Sequence, residues 1–263
     1  MELLAQYFPV FLLIFCRITS FFVVAPLFSM QNVPNQLKIG LSFYVSLLIL
    51  MTFKDSVTVA TDGTFVLSIL REILAGLLLG FIAYLFFTIV QVAGSFIDLQ
   101  MGFGIANVID PMTGAQSPIL GNFKFMISVL VFLSVNGHLY LLDAIMRSYE
   151  WVPLSNPLFQ QMYGGHITDF LVRTFSETFK IAFQMSAPIV VAMFLTDLAL
   201  GLLARTVPQL NIFVVGVPLK IIVGFLVMLL LIPGFIGLFE QIFNSMMEAL
   251  HALMQLMGRQ QAP

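Results

Sequence analysis

Charge is what this chain has least of. Asp, Glu, Lys and Arg make up 9% of its 263 residues, 60% are hydrophobic, and the mean hydropathy is +1.03. Soluble domains carry about 25% charged residues, so the shortage excludes a soluble globular domain and makes this an integral membrane protein. The net charge of −2 says nothing about partners, and with no basic stripe nothing points to nucleic acid. Cysteine is nearly absent. Cys16 alone excludes an internal disulfide framework and a thiolate metal cluster, and its place in an apolar run reads as inert core. Histidine is sparse as well. His138, His166 and His251 lie far apart and show none of the local spacings of a metal site. No HExxH, GxSxG or P-loop pattern occurs, and no pair of acids shares one apolar helix, so neither enzyme chemistry nor a cofactor is expected. Nor is a cleavable signal peptide: Glu2 stands where a basic n-region would, and the first apolar run continues to Phe28.

What the chain does have is apolar runs. A spanning helix needs roughly 20 apolar residues. Residues 73–97 meet this without a charge, opening after Arg71 and Glu72. Residues 7–28 are long enough but carry Arg17. Residues 39–53 are short for a span, and 125–142 are borderline and contain the helix-weakening pair Asn136-Gly137. Residues 181–203 hold Pro188 and Asp197, and 212–239 hold Pro218, Lys220, Pro233 and Gly234. Connections are expected at 54–64, 143–165 and 205–211. From Ile167 the pattern turns amphipathic, with Ile167, Phe170, Leu171 and Phe175 on one face and Asp169, Arg173 and Glu177 on another. Phe243, Met246, Leu250, Leu253 and Met257 recur at alternating spacings of three and four, which predicts a helix that packs against another. The expected fold class is an all-α membrane protein of helical hairpins, some short or broken. Lys and Arg are spread too thinly over the connections to set an orientation.

One stretch interrupts this pattern. Residues 100–118 read QMGFGIANVIDPMTGAQSP between long apolar runs. Unpaired backbone groups cost several kcal/mol each in lipid, so irregular backbone is tolerated only where protein shields it or it lines an aqueous cavity. Gly102, Gly104 and Gly114 give the freedom such a loop needs, and Asp110-Pro111 starts a turn. Met101, Phe103, Ile105 and Met112 are apolar side chains that could form a deformable seal, Met being the most adaptable. From composition alone, a pore plug and an ordinary re-entrant turn are equal readings.

Arg17, Asp197 and Lys220 are charges within apolar runs, each costing about 2.5–3.5 kcal/mol at a helix centre on insertion scales. They could mark an ion path; three scattered charges fit structural ion pairs or snorkelling better. Gly76 and Gly80 form a GxxxG extended by Ala83, which permits close helix packing within or between chains.

Four stretches, in order along the chain, resemble the SctT/FliR family of type III secretion export-gate subunits. The first is Arg17, Ala25-Pro26 and Val33-Pro34 through Lys38-Ile39-Gly40-Leu41. The second is Gln100-Met101-Gly102 through Asp110-Pro111 to Pro118. The third, Asn136-Gly137-His138-Leu139, favours the flagellar branch over the virulence injectisomes. The fourth is Leu200-Gly201-Leu202-Leu203, Arg205, Pro208-Gln209-Leu210-Asn211-Ile212-Phe213 and Gly216-Val217-Pro218-Leu219.

The resemblance implies one export-gate domain over residues 1–263, a FliP-like part followed by a FliQ-like part. It implies assembly with FliP-like and FliQ-like subunits into a helical pore complex, with FlhB-like and FlhA-like proteins at its base. Unfolded flagellar subunits would pass through it, in the bacterial inner membrane at the flagellar basal body. It assigns the pore plug or gating loop to Met101, Gly102, Phe103, Gly104, Ile105, Asn107, Asp110, Pro111, Met112, Gly114 and Pro118. Arg17, Gly76, Gly80, Asp197, Arg205 and Lys220 are expected in helix or subunit contacts. Two other readings stand beside the export gate: a small-molecule secondary transporter using Asp197 and Lys220, which would need a polar midplane site, and a scaffold with no part in gating.

Overall fold

The computed structural model describes residues 2–30, 32–52, 64–103, 118–154, 158–209 and 211–258. Eight helices run through them: α1 Glu2–Val24, α2 Asn35–Thr52, α3 Thr64–Met101, α4 Ile119–Ser134, α5 Gly137–Trp151, α6 Leu158–Tyr163, α7 His166–Thr206 and α8 Ile212–Gly258. No strand occurs among the described residues. Five helices are long and apolar enough to cross a membrane, or six spans if α4 and α5 count as one. The protein is an all-α, multi-pass membrane protein.

Several boundaries differ from those the sequence suggested. Residues 73–97 are the middle of the 38-residue α3. The amphipathic stretch after Ile167 and the apolar run 181–203 fuse into the 41-residue α7, and the run 212–239 joins the C-terminal packing stretch in the 47-residue α8. At 1.5 Å per residue α8 is about 70 Å long, far more than a bilayer's hydrocarbon core. Pro188, Pro218 and Pro233 lie inside these continuous helices. The break falls instead between α4 and α5 at Asn136, whose φ of 58° and ψ of 26° are left-handed. Asn is among the few residues that visit this region readily. The expected connection 143–165 is corrected: its first nine residues continue α5, which buries Leu141, Ala144, Ile145, Ser148 and Tyr149 at helical spacing.

The chain divides into two compact units. Residues 1–85, 136–175 and 244–263 form the first, and 86–135 and 176–243 the second. In the first unit, the core draws on Ile14, Ile18 and Phe21 of α1, Leu79 and Ile82 of α3, Leu141 and Ile145 of α5, and Met246, Leu250, Leu253 and Met257 of α8. The three-and-four spacing of that last set did identify a packing face. On α7 the buried stripe runs from Ile167 through Thr174 and Thr178, and Phe175 is exposed. α1 and α3 approach closely at the GxxxG: a Cβ on Gly76 would collide with the Arg17 carbonyl and Ser20 Oγ, and one on Gly80 would lie 3.0 Å from the Phe21 carbonyl. In the second unit, Phe87 of α3 meets Phe132 of α4 edge to face at 5.0 Å and Phe243 of α8 at 5.6 Å. This aromatic cluster ties α3, α4 and α8 together.

Candidate functional site

α3 ends where the irregular stretch begins, and it ends in a defined cap. Gly102 has φ +90°, a conformation open to glycine. The Phe103 N–H donates to the Asp98 carbonyl at 3.0 Å and the Gly102 N–H to the Leu99 carbonyl at 3.4 Å. These are the two bonds of a Schellman motif, which satisfies the last helical carbonyls and turns the chain away. The segment returns at Pro118, the N-cap of α4, which has no side-chain cap of its own. Its substitute comes from α3: the Asp98 carboxylate accepts from the Leu120 N–H at 3.1 Å and the Gly121 N–H at 3.2 Å. A buried carboxylate at a helix N-terminus satisfies orphan donors and complements the helix dipole. Asp98 thus holds both ends of the segment between α3 and α4, the outgoing one by its carbonyl and the returning one by its carboxylate.

The roots are also packed. Gly94 lies against Gly121 so closely that a Cβ on it would collide with the Gly121 Cα. Met101 is fully buried. The Phe103 ring meets Phe225 of α8 edge to face at 6.4 Å. Below this cap, Lys124 is 4% exposed and its ammonium sits 4.0 Å from the centre of the Phe235 ring, with no hydrogen-bond acceptor among the described residues. A cation over an aromatic face recovers part of the lost hydration. Of the residues expected in the loop, Met101, Gly102, Phe103 and Pro118 are described. Gly104, Ile105, Asn107, Asp110, Pro111, Met112 and Gly114 lie outside the described residues.

Arg17 organises the first unit. Fully buried, it donates from Nε to Glu72 Oε2 at 2.6 Å, from one terminal nitrogen to Ser148 Oγ at 3.1 Å, and from the other to the Val152 carbonyl at 2.9 Å. Its guanidinium lies 4.1 Å from the centre of the Tyr149 ring, and the Tyr149 hydroxyl donates to the Ile14 carbonyl at 3.1 Å. Arg71 donates to the Leu154 carbonyl. The network binds α1, α3 and α5, and each guanidinium nitrogen of Arg17 has an acceptor. In the second unit Lys220 of α8 pairs with Asp197 of α7 at 2.9 Å. Arg205 is exposed in the last turn of α7. Among the described residues, no three His, Cys, Asp or Glu side chains lie close enough to hold a metal ion.

Sequence reasoning missed Asp98, Gly121, Lys124 and Phe225. For Asp98 a signal existed: it is an acid near the end of an apolar helix, facing a returning helix whose Pro N-cap lacks an acceptor. The other three owe their roles to contacts distant in sequence.

The profile of the family described as Bacterial export proteins, family 1, matches residues 8–246. The chain is 44% identical over 258 residues to the flagellar biosynthetic protein FliR of Bacillus subtilis (strain 168), spanning 98% of this chain and 99% of that protein. It is 31% identical over 243 residues to FliR of Escherichia coli (strain K12), spanning 90% and 91%. To the Yop proteins translocation protein T of Yersinia pestis it is 31% identical over 206 residues, 78% of each chain. With a profile match over most of its length and relatives that span it nearly end to end, the chain belongs to the bacterial export proteins of family 1.

Proposed function

We propose that the chain is a non-enzymatic core subunit of the flagellar type III protein export gate. With FliP-like and FliQ-like subunits it would form the channel for unfolded flagellar subunits, with FlhB-like and FlhA-like proteins at its base, in the bacterial inner membrane at the basal body. Residues 1–263 would act as one export-gate domain, FliP-like then FliQ-like. The loop after α3 would plug the closed pore, with Phe103, Ile105 and Met112 as the seal. The flagellar assignment draws on the 44% identity to a flagellar FliR over nearly all of both chains; the Yop-type relative supports an injectisome role as the second reading. The plug reading draws on one observation above the others: Asp98 holds both ends of the segment between α3 and α4, the outgoing end by its backbone carbonyl and the returning end by its buried carboxylate. A plug must be fixed at its roots if its tip is to stop a pore. The transporter reading is weakened because Asp197 and Lys220 pair with each other.

Ion conductance across membranes that carry the assembled complex tests the plug. Deleting residues 104–114 should raise the leak while the complex still assembles. An intact complex with no added leak would sink the plug and leave the scaffold reading.

A further inference from the structure

Gly224 lies on α8 between Pro218 and Pro233, and a Cβ there would meet the Met101 side chain, which would have to shift. It would stand 2.7 Å from Met101 Sδ and 2.9 Å from Met101 Cγ, and would also meet Cε. The fully buried Met101 therefore lies along bare α8 backbone. The neighbouring contacts follow the same line. The nearest atom to a Cβ on Gly102 is Val217 Cγ1 at 3.8 Å, and Phe103 rests on Phe225. Three consecutive residues at the loop's outgoing root thus meet one stretch of α8. Asp98 ties the two roots to each other; the Met101 seat ties them to a different helix.

We propose that Gly224 is a positioning residue for the gate: its missing side chain is the seat that locks the loop's root, through Met101, to α8. This rests on the plug reading. A shift of α8 between Val217 and Phe225 then moves the root at Met101, Gly102 and Phe103 with it. The seat is specific in size. A side chain at 224 displaces Met101, and a shorter side chain at 101 restores the room.

The test is a double-mutant cycle in the assembled complex, read as ion leak alongside recovery of the complex. Coupling between residues in contact is typically 0.5–3 kcal/mol, so Gly224→Val should raise the leak by roughly 2- to 100-fold. Adding Met101→Ala to Gly224→Val should bring the leak back toward the wild-type value. A general packing defect would instead make the double variant leak as much as Gly224→Val or more, and that result overturns the proposal. So does Gly224→Val that assembles without leaking. If Gly224→Val fails to assemble, Gly224→Ala takes its place, with a smaller rise in leak expected because Met101 must still shift for one methyl group. Deletion of residues 104–114 in the same assay separates the two readings. A leak from the deletion and none from the Gly224 variant rejects the seat alone, whereas no leak from the deletion rejects the plug.

Discussion

Arg17 and Lys124 are both buried cations in apolar helices, yet their surroundings give them unequal consequences. Arg17 has a carboxylate, a hydroxyl, a carbonyl and an aromatic face. Removing one partner of a buried pair strands the other, at about 3–5 kcal/mol. Arg17→Met, which leaves buried Glu72 with only the longer 3.6 Å contact to Arg71, should therefore lower the melting temperature of the detergent-purified protein by many degrees. Lys124 has a ring and no hydrogen-bond acceptor among the described residues. The charge that attracts it is the Asp98 carboxylate, which keeps the Leu120 and Gly121 N–H donors when the lysine is gone, so Lys124→Met should lower that temperature less than Arg17→Met does. Equal losses in the two variants would refute the distinction. Sequence reading singled out Arg17 as a charge needing a partner, but Glu72, 55 positions away, becomes that partner only when α1 and α3 pack.

At the scale of elements, helix ends and bends decide the architecture. Asn211 shows an ordinary start, its Oδ1 accepting from the Phe213 N–H at 3.2 Å at the head of α8. Asn136 is unusual because it holds a left-handed conformation between two helices. A β-branched residue there pays a steric penalty of about 1–2 kcal/mol, which glycine avoids. Asn136→Val should destabilise the protein by about that amount while Asn136→Gly is tolerated, as thermal unfolding in detergent would report; equal effects would mean that the bend is held by packing alone. The prolines teach the complementary lesson. Pro188, Pro218 and Pro233 looked like breaks, but neighbouring helices and local adjustment can absorb the lost hydrogen bond within an apolar helix.

For the whole molecule, the telling feature is apolar surface left uncovered. Only 6% of the most apolar window of α8 and 17% of that of α7 are buried within the chain, against 61% for α3. Surface of this extent needs lipid or protein against it. The export-gate proposal expects protein on much of it. Affinity purification in mild detergent should then recover small hydrophobic partner subunits with the chain. Recovery as a monomer or small homo-oligomer would favour the transporter reading instead.

The sequence alone determined the solvent class, the apolar segments, the place of the irregular stretch and the packing face at Met246, Leu250, Leu253 and Met257, because hydropathy and periodicity are local properties. It also marked Arg17, Asp197 and Lys220 as charges that need compensation. Only the tertiary structure decided how: Arg17 with Glu72, Ser148 and Val152, and Lys220 with Asp197. It alone showed that Asp98 caps a helix 22 residues ahead and that Gly224 leaves room for Met101, 123 positions away. A hydrogen bond or a close approach depends on which helices meet and at what height, and no window along the chain contains both partners. The contacts that hold the ends of α3 and α4 to each other and to α8 could be read only from the packed helices.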